Sequence, residues 1–349
     1  MQGNATSPSS YQEFQAGASL WKICSPIMMI LGTIGNIFCI VILLRKNLRR
    51  HTTVVYLVAL SLNDLIVLYT GLMRQWIKIT FDVDVRLLSE FSCKFHMWMV
   101  YVSLDTSAWI LVIVTLERVA LVWFPHSSKS RCKKQMAGII LGVLLGTVML
   151  VNAHLMYGIG DVTMTESNRT TSEQCYYEND EYKQFYVDIW PWIDLAKFNA
   201  VPFAIILIGS ICIITNVIKR RRKLNVSVAP QGIQQKDKQV NSMTITLIVL
   251  NTAFLISTTP ISIYLAFYNK WSKNASNHDA ARLVLLWAVV NLLMYSNNTV
   301  NFLLYCVSGS NFRREIRCLF KRNKPQTGEA SRATTVQQVQ SLPAQDAER

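Results

Sequence analysis

Apolar residues in this chain gather into seven long blocks separated by short polar segments. The blocks cover residues 23–44, 52–73, 93–122, 136–157, 185–218, 240–267 and 281–307. Each meets or exceeds the roughly 20 residues that an α-helix needs to cross a bilayer, so the pattern predicts seven membrane-spanning helices. A shorter amphipathic piece, residues 311–320, follows the last block. The expected organisation is an extracellular N-terminal tail (1–22), a seven-helix domain (23–310), an amphipathic juxtamembrane helix (311–320) and a disordered cytoplasmic tail (321–349). The fold class is therefore an all-α membrane bundle. No internal repeat stands out, which argues against a transporter built from two related halves.

Composition sharpens this picture. The chain has 349 residues, 51% hydrophobic and 16% charged, against about a quarter charged in ordinary soluble domains. A net charge of +14 raises nucleic acid as a partner. Its basic residues sit in loops between the apolar blocks instead of on one folded face, which excludes that reading. The eight cysteines show no CxxC pair and no zinc spacing. Cys24, Cys39, Cys212 and Cys306 lie in apolar blocks and read as small buried hydrophobes. The first twenty residues are polar and lack the form of a cleavable signal, so the first block is expected to stay as an anchor.

Charge in the short loops sets the orientation. Arg45, Lys46, Arg49 and Arg50 mark the first loop, "KSRCKK" the third, "KRRRK" the fifth, and Arg313, Arg314 and Arg317 the segment after the seventh block. All of these are expected in the cytoplasm. The N-terminus then lies outside a plasma membrane, together with the acidic connection around Cys175. Asn4, Asn168 and Asn274 head glycosylation sequons on that outer side.

Ionisable groups inside a bilayer are costly and mark function or a satisfied bundle interior. Here they are few: Asp64, Asp105, the adjacent Glu117 and Arg118, Asp194 and Lys197, with Asn36 and the run "YSNNTVNFLLY" as uncharged polar company. In their order and spacing these residues resemble the rhodopsin-like G-protein-coupled receptors. The resemblance runs from about Asn36 to Phe320. It rests on Asn36, Asp64, Cys93, Glu117 with Arg118, Pro202, Phe254 with Pro260, Asn301 with Tyr305, and Phe312. The twenty-five residues from Cys93 to Arg118, at about 1.5 Å each, span the bilayer.

The resemblance implies a disulfide between Cys93 and Cys175. It implies that Glu117 restrains Arg118 at rest and that the freed arginine helps receive a heterotrimeric G protein, with Phe254, Pro260, Asn301 and Tyr305 in the activation path. It also implies a polar network of Asn36, Asp64, Ser107, Asn297 and Asn301. Two readings of that network stand side by side: a sodium ion held by oxygens such as those of Asp64 and Ser107, or hydrogen bonds and water without an ion. No other cofactor is expected. The chain departs from the family pattern at Val119, at Thr258 where a switch tryptophan is usual, and at Phe302 where a proline is usual.

For the ligand, Val100 replaces the aspartate of amine receptors, and the seventh block has no lysine for retinal. The acidic second outer loop would attract a cationic ligand, and in peptide receptors of this family it forms a hairpin lid. "WPWIDLAKFNAVPF" with "STTP" and "NFLLY" is similar to invertebrate receptors for short amidated neuropeptides. Candidate pocket residues are Arg74, Tyr101, Asp105, Asp194, Tyr264 and Tyr295. Asp105 and Asp194 either meet a basic group of the ligand or pair with Lys197. A lipid or other small ligand is the alternative, followed by a transporter or channel; no catalytic motif favours an enzyme. Cys318 is either palmitoylated or a free thiol, and Ser331, Thr334, Thr335 and Ser341 are candidate sites for receptor kinases and arrestin.

Overall fold

Isoleucine, leucine and phenylalanine face outward along the helices while asparagine and aspartate face inward, the reverse of a water-soluble fold. On the first helix Ile23, Ile27, Ile30, Leu31, Ile34, Ile37, Phe38 and Val41 are all exposed, whereas Asn36, Asp64, Asp105, Asn298 and Asn301 are buried. Lipid is the solvent that makes such a surface stable. With no water there to receive backbone groups, helices satisfy them internally.

A computed structural model describes residues 7–49, 51–124, 134–166, 169–226 and 231–322. Seven helices in it are long and apolar enough to span a membrane: α1 (Gln12–Leu43), α2 (Thr53–Phe81), α3 (Glu90–Trp123), α4 (Lys134–Gly158), α5 (Asp180–Lys219), α6, whose apolar part is Leu247–Ser272, and α7 (Asn277–Ser308). The α5 helix continues to Val226, and α6 begins at Gln231. A last helix, α8 (Ser310–Arg322), buries Phe312 and Glu315 and exposes Arg314, Arg317 and Cys318.

Every block is found, but the helices outrun them. The largest difference is α1, which starts at Gln12 inside the segment assigned to the N-terminal tail. Gln, Glu, Ala and Leu are good helix formers, so "QEFQAGASL" continues the helix without adding to the hydropathy. This turn is also held. His278 meets Glu13 at 2.8 Å, Tyr11 stacks on His278, and Trp21 is buried. The tail beyond Arg322 lies outside the described residues.

Local signals set other boundaries. Asp82 adopts the left-handed conformation (φ 57°) and ends α2; the short polar side chain of aspartate tolerates it. Ser89 caps α3 through the Ser92 N–H. Ser276 and Asp279 form a reciprocal capping box at the start of α7. Between α4 and α5 the chain forms an antiparallel hairpin of β1 (Ile159–Glu166) and β2 (Arg169–Tyr177). The stretch "QCYYENDEYKQFYV" is therefore only partly strand, since α5 has begun by Asp180. A disulfide between Cys93 and Cys175 fastens the hairpin to α3.

In the bundle, α3 runs through the middle against α2, α4, α5 and α6, while α1 packs along α7 and α7 along α6. Close approach needs small residues. A Cβ on Gly71 of α2 would run into the Tyr295 ring of α7, whereas Gly142 of α4 has nothing within 4 Å. Overpacking costs about 1–3 kcal/mol. Gly71→Val should therefore lower the thermal unfolding midpoint of purified protein in detergent, and Gly142→Val should leave it unchanged.

Candidate functional site

Toward the hairpin end of the bundle, a cavity of about 230 Å³ opens among α2, α3, α5, α6 and α7, with Trp21 of α1 and Arg86 at its edge. Arg74, Tyr101, Asp105, Asp194 and Tyr295 all line it. Tyr264 does not: it lines a neighbouring space of about 570 Å³ between α6 and α7, with Tyr268 and Trp287. Its hydroxyl donates to the Leu283 carbonyl. The next residue, Leu265, lines both spaces, and the rotation of about 100° per residue turns Tyr264 away from the first.

The wall made by α3 and α5 is ionic. The Lys197 ammonium lies 2.6 Å from Asp105 Oδ2 and 2.8 Å from Asp194 Oδ1. It also lies over the rings of Tyr101 and Trp190, 5.4 and 5.0 Å from their centroids. Asn152 of α4 donates to the same Asp105 oxygen at 2.8 Å. Lys197 thus pairs with both acids. Two acidic side chains share one cation beside the cavity.

The opposite wall is cationic. Arg74 grips both oxygens of Asp84, Lys78 stands 3.3 Å from the same carboxylate, and Arg86 adds its backbone N–H. Burial works to raise the Asp84 carboxyl, but the Arg74 bond and charge, the Arg86 N–H and Lys78 overcome it and hold the group well below the usual carboxylate range. The Asp84 contribution to stability is therefore present above its unfolded pKa and is lost only as pH falls through that depressed value. Arg86 also lines the cavity. Burial and the neighbouring Arg74 bring it down to about 10, so it remains a cation at neutral pH.

Deeper in the bundle Asp64 is fully buried. It accepts from Asn301 at 2.5 Å and Asn298 at 2.7 Å, with the Ser107 hydroxyl at 3.5 Å. Asn63 donates to Ser107, and Asn36 donates to the Asn298 and Gly32 carbonyls. Asn298 takes the place beside Asp64 expected for Asn297, which is buried without a bond to it. The next position round the helix is the one turned toward α2.

At the far end of α3, Thr53 of α2 joins the adjacent charges. Its hydroxyl donates to Glu117 Oε2 at 2.6 Å and accepts from Arg118 Nη2 at 2.8 Å. Glu117 and Arg118 are thus joined through a hydroxyl that bonds both. Two further polar contacts hold α6. Asn251 donates to Thr115 of α3 at 3.0 Å, both residues being buried, and Asn199 of α5 donates to Thr258 at 3.2 Å. Phe254 packs edge-on to Phe198, and Pro260 lies within α6. Tyr305 is buried against Phe312 of α8.

Thr53, Arg86, Asn152 and Asn251 escaped the sequence reading, and Asn298, marked there as a polar residue of the seventh block, was not placed beside Asp64. Asn152 in "LVNAHL" and Asn251 in "VLNTAF" carried a usable signal, an amide inside an apolar run. Thr53 carried none, because threonine is common at helix ends. Asn274 is exposed in the turn before α7 and Cys318 is exposed on α8. Asn4, Asn168, Ser331, Thr334, Thr335 and Ser341 lie outside the described residues.

The family model described as 7 transmembrane receptor (rhodopsin family) matches residues 35–305. Neuropeptide Y receptor type 6 of Mus musculus is 24% identical over 323 residues, covering 86% of this chain and 80% of that protein. Cysteinyl leukotriene receptor 1 of Cavia porcellus is 24% identical over 323 residues, covering 91% and 88%. C-C chemokine receptor type 1 of Homo sapiens is 22% identical over 326 residues, covering 92% and 84%. With its seven spans, its hairpin disulfide and the Arg118 end of α3, the chain belongs to the rhodopsin family of seven-transmembrane receptors: a multi-pass cell-surface G-protein-coupled receptor and not an enzyme, with an extracellular ligand and a G protein as partners.

Proposed function

We propose that the extracellular ligand is a peptide, a neuropeptide by the likeness to the neuropeptide Y receptor. The observation that carries this reading is the acidic hairpin region above a charged cavity. Asp161, Glu173, Glu178, Asp180, Glu181 and Asp188 are all exposed around it. Such a rim concentrates a cationic ligand and speeds its encounter. A cavity below the usual ligand range of roughly 300–1,000 Å³ suits the end of a peptide, with the remainder on the hairpin. On this reading the N-terminus lies outside and the basic loops inside. A lipid ligand is the second reading, favoured by the likeness to cysteinyl leukotriene receptor 1.

Binding biases a two-state bundle. In the resting state the Thr53 junction holds Glu117 and Arg118, and the Asn251–Thr115 and Asn199–Thr258 contacts hold α6. Release of α6 opens the Arg118 end to the G protein. Sodium belongs to the same proposal. Asp64 is a buried carboxylate to which, among the described residues, no cationic side chain is bonded; its oxygens and the Ser107 hydroxyl oxygen suit a hard monovalent cation, which would replace the amide hydrogens of Asn298 and Asn301 now directed at the carboxylate. Asp64 and Ser107 would supply its oxygens, and the ion would neutralise the carboxylate. Palmitate on Cys318, glycans on Asn4, Asn168 and Asn274, and kinases and arrestin at the tail complete the proposed partners.

The deciding experiment is a signalling screen of cells expressing the chain against amidated neuropeptides, biogenic amines and lipids. A response confined to amines or lipids overturns the peptide assignment. Lys197→Met leaves two buried acids without their cation, a loss of about 3–5 kcal/mol, and surface expression should collapse. Asp194→Asn preserves the Asp105–Lys197 pair, so expression should persist while agonist potency falls. Arg118→Ala should suppress signalling with ligand binding largely intact. Asn251→Leu should instead raise ligand-independent nucleotide exchange, because it removes a contact present only while α6 lies against α3.

A further inference from the structure

Arg86 stands on the short 3-10 turn Val85–Leu88 between α2 and α3 and lines the cavity. Its Nε donates to His96 Nδ1 at 3.2 Å. The other ring nitrogen, Nε2, lies 2.9 Å from the Thr70 carbonyl. A ring that accepts at Nδ1 and donates from Nε2 is neutral, so His96 offers Arg86 no charge. Asp84 is the nearby carboxylate, and Arg74 and Lys78 already occupy both its oxygens.

Among the described residues no acid lies within 4.0 Å of the Arg86 guanidinium, and its two terminal nitrogens make no hydrogen bond. Three cations therefore share one carboxylate on this wall, while two carboxylates share Lys197 on the other. Tyr101, Tyr186 and Tyr295 line the space with them. A half-buried guanidinium that lines a cavity and is short of a counter-ion favours an anion, and its planar fork fits a carboxylate through two parallel bonds.

We propose that Arg86 is an anion-binding residue of the ligand site and that the ligand carries a carboxylate, received by the two terminal nitrogens of Arg86 inside the cavity. The source of that carboxylate, a peptide's C-terminus or an Asp or Glu side chain, rests on the peptide reading; the anion site itself rests on the cavity. The ligand then spans the cavity with its acid toward α2 and any basic group toward Asp194. A C-terminally amidated agonist must supply the acid from a side chain.

Two measurements test this. In the first, purified receptor is heated with N-acetyl-phenylalanine or with its amide, which keeps the ring and removes the charge. The acid should raise the unfolding midpoint more than the amide does, and the difference should vanish in Arg86→Gln and persist in Arg86→Lys. Equal midpoints with acid and amide, or a difference that survives Arg86→Gln, overturn the proposal. Should Arg86→Gln fail to reach the cell surface, the acid–amide comparison on the unsubstituted receptor and Arg86→Lys still decides.

In the second, each peptide that activates the receptor is remade with its C-terminal carboxylate amidated, and with each Asp or Glu changed to Asn or Gln. One of these changes should cost about tenfold or more in potency on the unsubstituted receptor and almost nothing further on Arg86→Gln. Full potency in every acid-free analogue overturns the proposal. A library in which no peptide activates defeats the peptide reading, and the fragment measurement decides Arg86 independently.

Discussion

A charge inside hydrocarbon has to be compensated where it stands, and in this receptor each compensation is also a joint between helices. Lys197 of α5 binds Asp105 of α3, and Asn152 of α4 completes the same carboxylate. Asp64 of α2 is met by Asn298 and Asn301 of α7 and by Ser107 of α3. Thr53 of α2 joins Glu117 and Arg118 of α3. The exposed face of α1 contributes solubility in lipid but little specificity, since lipid tails are as apolar as the side chains they touch. Specificity of the bundle therefore lies in its polar interior, and so does the capacity to change state.

The two ends of the bundle use this interior differently. At the hairpin end acids and cations are unequal on facing walls, with two acidic side chains to one cation by α3 and α5 and excess guanidinium by α2 and the Val85–Leu88 turn. For the ligand proposed above, an electric asymmetry across so small a cavity would orient as well as retain it. At the Arg118 end the charges are joined through a neutral hydroxyl. A change of partner there requires only that Thr53 and Arg118 separate, with no ion carried through lipid. The disulfide keeps the hairpin on α3, and the same helix carries Glu117 and Arg118 toward its other end.

Much of this was legible in the sequence because crossing a membrane imposes a coarse and unambiguous pattern. Seven apolar blocks gave seven helices, and Asp64, Asp105, Glu117, Arg118, Asp194 and Lys197 stood out as charges that such blocks should not contain. Helix ends were less legible. Polar helix formers such as those of Gln12–Leu20 prolong a helix beyond the lipid without altering hydropathy, and they hid the start of α1. Rotational detail was lost for a different reason. One residue along an α-helix turns a side chain by about 100°, which separates Asn298 from Asn297 at Asp64 and moves Tyr264 out of the cavity that Tyr295 lines. Pairs made by a hydroxyl or an amide, such as Thr53 with Glu117, leave no mark because those residues are unremarkable alone.

The departures at Thr258, Phe302 and Val119 acquire a common meaning from the helices that carry them. Ahead of Pro260, Ser257, Thr258 and Thr259 each return a hydroxyl to the carbonyl four residues back, at 2.8, 2.8 and 2.7 Å. The proline itself withholds the N–H that Ile256 would receive. Back-bonded hydroxyls soften and bend a helix, so "STTP" concentrates pliancy in one turn of α6, at the level where Asn199 holds it to α5. In α7 the opposite holds. With Phe302 in place of a proline, the helix runs unbroken from Asn277 to Ser308, and Phe302 packs against Phe38 of α1 and Phe312 of α8. Val119 lies beside Gly209, where α5 comes close to Thr115. The features that soften a helix are thereby gathered on α6, while α7 is continuous and packed against α1 and α8. Under the activation proposed above, opening releases the amide–hydroxyl contacts on α6, with no tryptophan at position 258 to turn and no proline at position 302 to straighten.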